Sequence, residues 1–141
     1  SSWRLVDNWS TLLPDTADWM TWRIGDHGFQ MSLSPKAPEL IESQLPELLA
    51  PWLNRHGIGA DDVKCWAIHP GGPRILDACE SALRLAPTAL AASRETLANC
   101  GNMSSPTLLF VLDELQRRGA ETPCVALAFG PGLAIEAALL G

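Results

Sequence analysis

At 141 residues the chain suits one domain, and its 47% apolar content is enough for a packed core. Charged residues are sparse at 18%, the formal net charge is −6 and the pI is about 4.9. An acidic chain without a basic run argues against nucleic acid as partner, because phosphate binding needs clustered Lys and Arg; nor does any apolar run reach the ~18 residues of a membrane helix.

In chain order, Ser1-Ser2 lead without Met into "WRLV", as a cut piece of a longer protein would, and Trp3 to Val6 reads as a strand. Pro14-Asp15 and Asp26-His27-Gly28 are expected turns, with strands around Met20–Ile24 and Phe29–Leu33. In "KAPELIESQLPELLAPWLNRHG", Leu40, Ile41, Leu45, Leu48, Leu49, Trp52 and Leu53 recur at helical spacing. Pro38 and Gly57 punctuate this helix, and Pro46 and Pro51 are expected to bend or segment it. A polar turn from Asp61 leads to a strand ending at Ile68, and Gly71 to Leu85 reads as a helix. A short helix ends near Gly101. The next, "SSPTLLFVLDELQRRG", has Ser104 or Ser105 to cap it and Pro106 in its first turn. Its apolar residues cover much of its circumference, so burial is expected. "TPCVALAFGPG" is an apolar strand running into a turn, and "LAIEAALL" is a strand or a short helix. Alternating strands and helices in the second half favour a layered α/β core.

Cys65, Cys79, Cys100 and Cys124 are scattered, without metal-ligand spacing. They read as reduced, small buried hydrophobes, and none has the context of a nucleophile. His69 ends a strand just before a helix, where α/β proteins place their sites. It is a proton donor or base there, or else a ring bonded to a nearby backbone carbonyl. His27 and His56 lie in polar, turn-like stretches and read as structural. Asn102 precedes a helix; it either adopts a left-handed or capping conformation or offers its amide N–H to a developing oxyanion. Phe129-Gly130-Pro131-Gly132 is a rigid turn with no phosphate-cradling pattern around it.

Taken in register, "HPGGPRILD", "GNMSSPTLLFVLDE" and "FGPGLAIE" resemble the C-terminal half of type III polyketide synthases, the chalcone and stilbene synthase family. "WRIGDHGFQMSLSPKAPELI" is similar to its bacterial branch, and the likeness covers nearly the whole of residues 1–141. The resemblance implies the C-terminal half of a thiolase-like fold, layered helices and a mixed β-sheet, within a five-layer sandwich. It implies acyltransferase chemistry in the full-length protein: decarboxylative Claisen condensation of malonyl-CoA with an acyl-CoA starter. His69 and Asn102 would be two members of a Cys-His-Asn triad, with the nucleophilic Cys in the N-terminal half and this fragment alone inactive. Neither metal nor cofactor is implied beyond the CoA thioesters. Implied partners are acyl-CoA, malonyl-CoA, the N-terminal half and, at full length, a second copy; the implied compartment is cytoplasmic.

The substrate-binding positions carried over are Met31, Gly71, Gly72, Arg74, Ser104, Phe129, Gly130, Pro131 and Gly132. Met31 stands where plant members have a gatekeeper phenylalanine, and Trp22 where they have a cavity-lining glycine. An indole at Trp22 either narrows the cavity or is ordinary core. Gly71 and Gly72 would leave room for the thioester arm, and the backbone N–H near Arg74 would face the CoA side. Two alternatives stand beside this reading. One is a 3-oxoacyl-[acyl-carrier-protein] synthase III-like enzyme, whose histidine pattern resembles HQAN rather than HPGG. The other is a non-catalytic interaction domain of the same fold.

Overall fold

The computed structural model describes residues 2–141. Its elements are β1 (Leu5–Leu12), β2 (Met20–Gly25), β3 (Gly28–Leu33), α1 (Ala37–Arg55), β4 (Cys65–Ile68), α2 (Pro73–Ala82), α3 (Ala91–Cys100), α4 (Pro106–Arg117), β5 (Cys124–Gly130) and β6 (Ala134–Leu140). A four-stranded sheet runs in the order β1-β6-β5-β4, and β2 and β3 form a separate antiparallel hairpin. The β4–β5 pair is parallel and the others are antiparallel, so the sheet is mixed as expected.

Alternation along the strands sorts their side chains to two faces. Trp66 and Ile68 of β4, Val125 and Leu127 of β5, and Ile135 and Leu139 of β6 join a core with α1 and α2. Cys65, Ala67, Cys124 and Ala126 join a second core with Val111 and Leu115 of α4 and Ala92 of α3. Helices therefore cover both faces, and β4 and β5 are fully apolar where both sides are packed.

Several boundaries depart from the sequence reading. The first strand runs from Leu5 to Leu12, beyond Val6, because pairing with β6 satisfies a backbone whose side chains alternate with polar residues. The helix expected from Gly71 to Leu85 is shorter, Pro73–Ala82. "LAIEAALL" is a strand over Ala134–Leu140, held between β1 and β5. Pro46 and Pro51 do not segment α1, which is one helix of 19 residues. Each removes one helical N–H, and the carbonyls so freed belong to Glu42 and Glu47, both exposed residues. Helix α4 is not buried all round. Thr107, Val111 and Leu115 form its buried stripe, while Leu109 and Phe110 are 65% and 51% exposed.

His56 is structural, as its context suggested. Its Nε2 lies 2.8 Å from Asp7 Oδ2, which also accepts from Trp52 Nε1 at 2.9 Å, tying β1 to the end of α1. Among the described residues no helix is long and apolar enough to cross a membrane, and no cluster of His, Cys, Asp and Glu is arranged to hold a metal.

Candidate functional site

Two loops at one end of the sheet hold His69 and Asn102, one leaving β4 and one joining α3 to α4. His69 continues β4: its N–H donates to Leu127 O at 2.8 Å, extending the parallel ladder by one bond. Its carbonyl then accepts from Gly71 N–H at 2.9 Å, closing a three-residue turn around the buried Pro70. The backbone of His69 is thus held on both sides while its ring leaves the strand.

The ring is part-buried, and its Nδ1 is buried without a hydrogen-bond partner. The alternative of a ring bonded through Nδ1 to a neighbouring carbonyl is therefore not what forms. An orphaned buried N–H is rarer than an under-satisfied acceptor. The tautomer protonated at Nε2 is the one that leaves no buried N–H orphaned at Nδ1. The Nε2 edge faces Gly71: a Cβ built there would lie 3.7 Å from His69 Cδ2 and 4.0 Å from Nε2. Burial lowers the His69 pKa from its ordinary 6.5, so the ring is neutral at pH 7 and offers one N–H.

Asn102 is exposed and follows Gly101, whose φ of 70° turns the chain out of α3. The left-handed residues here are Gly101 and Ser104 (φ 66°), so Asn102 is not the left-handed residue. Its Oδ1 accepts from Ser104 N–H at 2.9 Å, which turns Nδ2 the other way, 3.5 Å from Gly71 O. That last contact is long, and it leaves the amide's donors free for a better acceptor. The expected serine cap is absent. Ser105 holds the N-cap position of α4 without a side-chain bond, and Thr107 Oγ1 accepts from Met103 N–H at 2.7 Å instead. Gly71 thus stands between the two side chains, beside the His69 ring and against the Asn102 amide.

The other expected positions are spread more widely. Gly72 is the N-cap of α2 and Arg74 is exposed in its first turn, beside the His69 loop. Phe129 and Gly130 end β5, and Pro131 and Gly132 turn into β6. This turn is pinned by Leu13 N–H to Leu133 O at 2.8 Å and by Leu133 N–H to Thr16 Oγ1. Met31 pairs with Trp22 across the β2–β3 hairpin, and the two are 48% and 54% exposed. Trp22 is therefore not core: the chain packs against the Met20 end of that hairpin face and leaves Trp22 more than half exposed.

Of the four cysteines, Cys65, Cys79 and Cys124 are buried, and Cys100 is exposed near the Asn102 loop, contrary to the expectation for it. Burial pushes the Cys79 thiol up to about 12, and a hydrogen bond with Cys65, then burial, raises that of Cys124. Clefts of ≈ 330 Å³ and ≈ 390 Å³ lie elsewhere, near Gly59–Asp61 and Leu83–Arg84. Residues absent from the sequence reading also shape the site. Ser93 and Thr107 are fully buried; Ser93 bonds to the last residue of β4, where the His69 loop begins, and Thr107 to the backbone of the Asn102 loop. Only their polarity at helix positions that turn out to be buried sets them apart.

The chain superimposes on the crystal structure of PKS-I from the brown alga Ectocarpus siliculosus with a TM-score of 0.93 and 33% identity, over 99% of this chain and 39% of that one. The fold is accordingly the C-terminal half of a thiolase-like α/β arrangement. Residues 4–141 match the family described as chalcone and stilbene synthases, C-terminal domain. The chain belongs to that family. It is 39% identical over 132 residues to a 1,3,6,8-tetrahydroxynaphthalene synthase of Streptomyces peucetius subsp. caesius, covering 92% of this chain and 35% of the relative. It is 35% identical over 148 residues to a bisdemethoxycurcumin synthase of Oryza sativa subsp. japonica, covering 96% and 37%. It is also 35% identical over 136 residues to type III polyketide synthase C of Arabidopsis thaliana, covering 91% and 35%. The chain thus spans little more than a third of the length of these relatives.

Proposed function

We propose that this chain supplies the oxyanion-binding half of a type III polyketide synthase acting on acyl-CoA and malonyl-CoA. The observation that carries the reading is the orientation of two neutral donors. Ser104 N–H holds Asn102 Oδ1, so Nδ2 faces the His69 loop, and the Nε2 edge of His69 lies beside the same Gly71.

In this reading both donors bind the thioester carbonyl of malonyl-CoA. The carboxylate C–C bond breaks, carbon dioxide leaves, and its electron pair forms an enolate whose oxygen His69 and Asn102 stabilise. The α-carbon then attacks the carbonyl of an acyl-cysteine. A C–C bond forms and the cysteine thiolate leaves. That cysteine lies outside residues 1–141 in this proposal, and residues 1–141 by themselves are inactive. The His69 Nε2–H, placed beside the cysteine, would donate to its thiolate and so favour it. The two donors do the work a Lewis acid does elsewhere, so the reading calls for no metal or further cofactor. Gly71 and Gly72 leave room for the thioester arm, and Arg74 N–H lies on the CoA side. Met31, Ser104 and the Phe129, Gly130, Pro131 and Gly132 turn border the acyl cavity. A second copy completes the assembly, in the cytoplasm. The family match favours this branch over the ketoacyl synthase alternative.

The test uses the full-length protein with acyl-CoA and malonyl-CoA. His69→Gln and Asn102→Ala should each slow carbon dioxide release about 10²–10³-fold, the cost of losing one oxyanion donor. Normal release from both variants would overturn the assignment.

A further inference from the structure

We propose that Ser93 is a positioning residue, setting the separation of His69 and Asn102 by fixing α3 against the end of β4. This rests on the oxyanion reading of those two residues. His69 N–H points into the sheet, at Leu127 O. In a trans peptide the carbonyl of the preceding residue points the opposite way, so Ile68 O faces outward from β4. Strand β4 is at the sheet's edge, and no strand lies there to receive that carbonyl. Ile68 is fully buried, so water does not serve it either. Ser93 Oγ, also fully buried, donates to Ile68 O at 2.7 Å.

The bond joins the two arms of the site. Ile68 directly precedes His69, and Ser93 lies on the helix that ends at Cys100 and delivers Asn102. A helix resting on apolar contacts can slide along a strand, because such contacts have no direction. A buried hydroxyl on one carbonyl fixes that register. The adjacent Arg94 clamps α3 differently: it reaches Asp77 and Glu80 of α2, both at 2.9 Å, and touches neither loop.

The test compares Ser93→Ala with wild type in the full-length protein. Two steps are read separately: acyl transfer from starter CoA onto the enzyme in a single turnover, and carbon dioxide release from malonyl-CoA. Displacing one donor by about an ångström should slow carbon dioxide release by about 10–100-fold. Acyl transfer should stay within about twofold, since only the decarboxylation is proposed to need both donors on one oxygen. The decisive measurement is the double variant. If Ser93 acts through Asn102, adding Ser93→Ala to Asn102→Ala slows release little further, whereas a merely structural role makes the two losses multiply. Ser93→Cys, close in size with a weak donor, replaces Ser93→Ala should the latter not fold. Multiplying losses, equal slowing of both steps, or unchanged release would each overturn the proposal. Loss of release in His69→Gln alongside any of these leaves the oxyanion reading standing. Retention of release in His69→Gln removes that reading first.

Discussion

His69 shows how a single side chain is tuned by what its neighbours withhold. Its folded pKa is lowered by burial, so the folded protein binds its proton less readily than the unfolded chain. Stability is therefore unaffected above the unfolded value of ~6.5 and falls as pH drops below it, until the folded pKa is passed. Unfolding midpoints followed from pH 7.5 to 5 should decline for wild type and stay flatter over that window for His69→Gln. Asp7 runs the opposite way. Its carboxylate is held below its usual range, first by His56 and then by Trp52. It contributes above ~3.9 and the contribution disappears as pH falls through the folded value. Asp7→Asn should accordingly be less stable than wild type at pH 7, with the gap closing at strongly acid pH. Gly71 makes a steric case. A Cβ there meets the His69 ring only at ordinary contact distance, so Gly71→Ala should fold normally. The methyl would occupy the open side of Nε2, and in the full-length synthase proposed above malonyl-CoA turnover should fall at least about tenfold, the cost of misplacing substrate by part of an ångström.

At the scale of elements, the Gly130–Ala134 turn and helix α4 make contrasting demands. Gly132 has a φ of 147°, and a Cβ there would lie 2.7 Å from Leu12 Cδ2 and 2.9 Å from Ala134 N. Its backbone angle and its crowding both exclude a side chain. Gly132→Ala should cost about 1–3 kcal/mol in urea unfolding and displace the turn that pairs with Leu13. On α4 the buried stripe and the outer face separate cleanly. Leu115→Ala should cost about 2–5 kcal/mol by leaving a cavity, while Leu109→Ser should stay within about 0.5 kcal/mol. Equal costs would mean that the outer face is packed. The sequence spacing had made α4 visible as a helix with the right ends. It had not shown which side has a neighbour, because a run such as Leu108, Leu109 and Phe110 is apolar in every direction.

Over the whole molecule, apolar surface remains that this chain does not cover. On the β2–β3 hairpin, Met20 pairs with Leu33, Trp22 with Met31, and Ile24 with Phe29, so one face is apolar throughout. Ile24 is 80% exposed on that face. Such a patch favours self-association. Ile24→Lys should therefore reduce light scattering at high concentration with the unfolding midpoint unchanged; a fall in the midpoint would show that the face is packed. The sequence by itself determined the α/β class, the helix α1, the apolar strands β4 and β5, and the two loops bearing His69 and Asn102. Periodicity and Gly-Pro punctuation are local properties, readable within a window of a few residues. The quoted segments in register also carried the family resemblance. Only the tertiary structure decided that "LAIEAALL" is a strand, that Trp22 and Phe110 face outward, that Asn102 turns its Nδ2 toward Gly71, and that Ser93 holds Ile68. Each depends on a neighbour beyond such a window, or on which of two equally allowed hydrogen bonds the backbone leaves open. A hydroxyl 25 positions away from its carbonyl leaves no periodic trace in the chain.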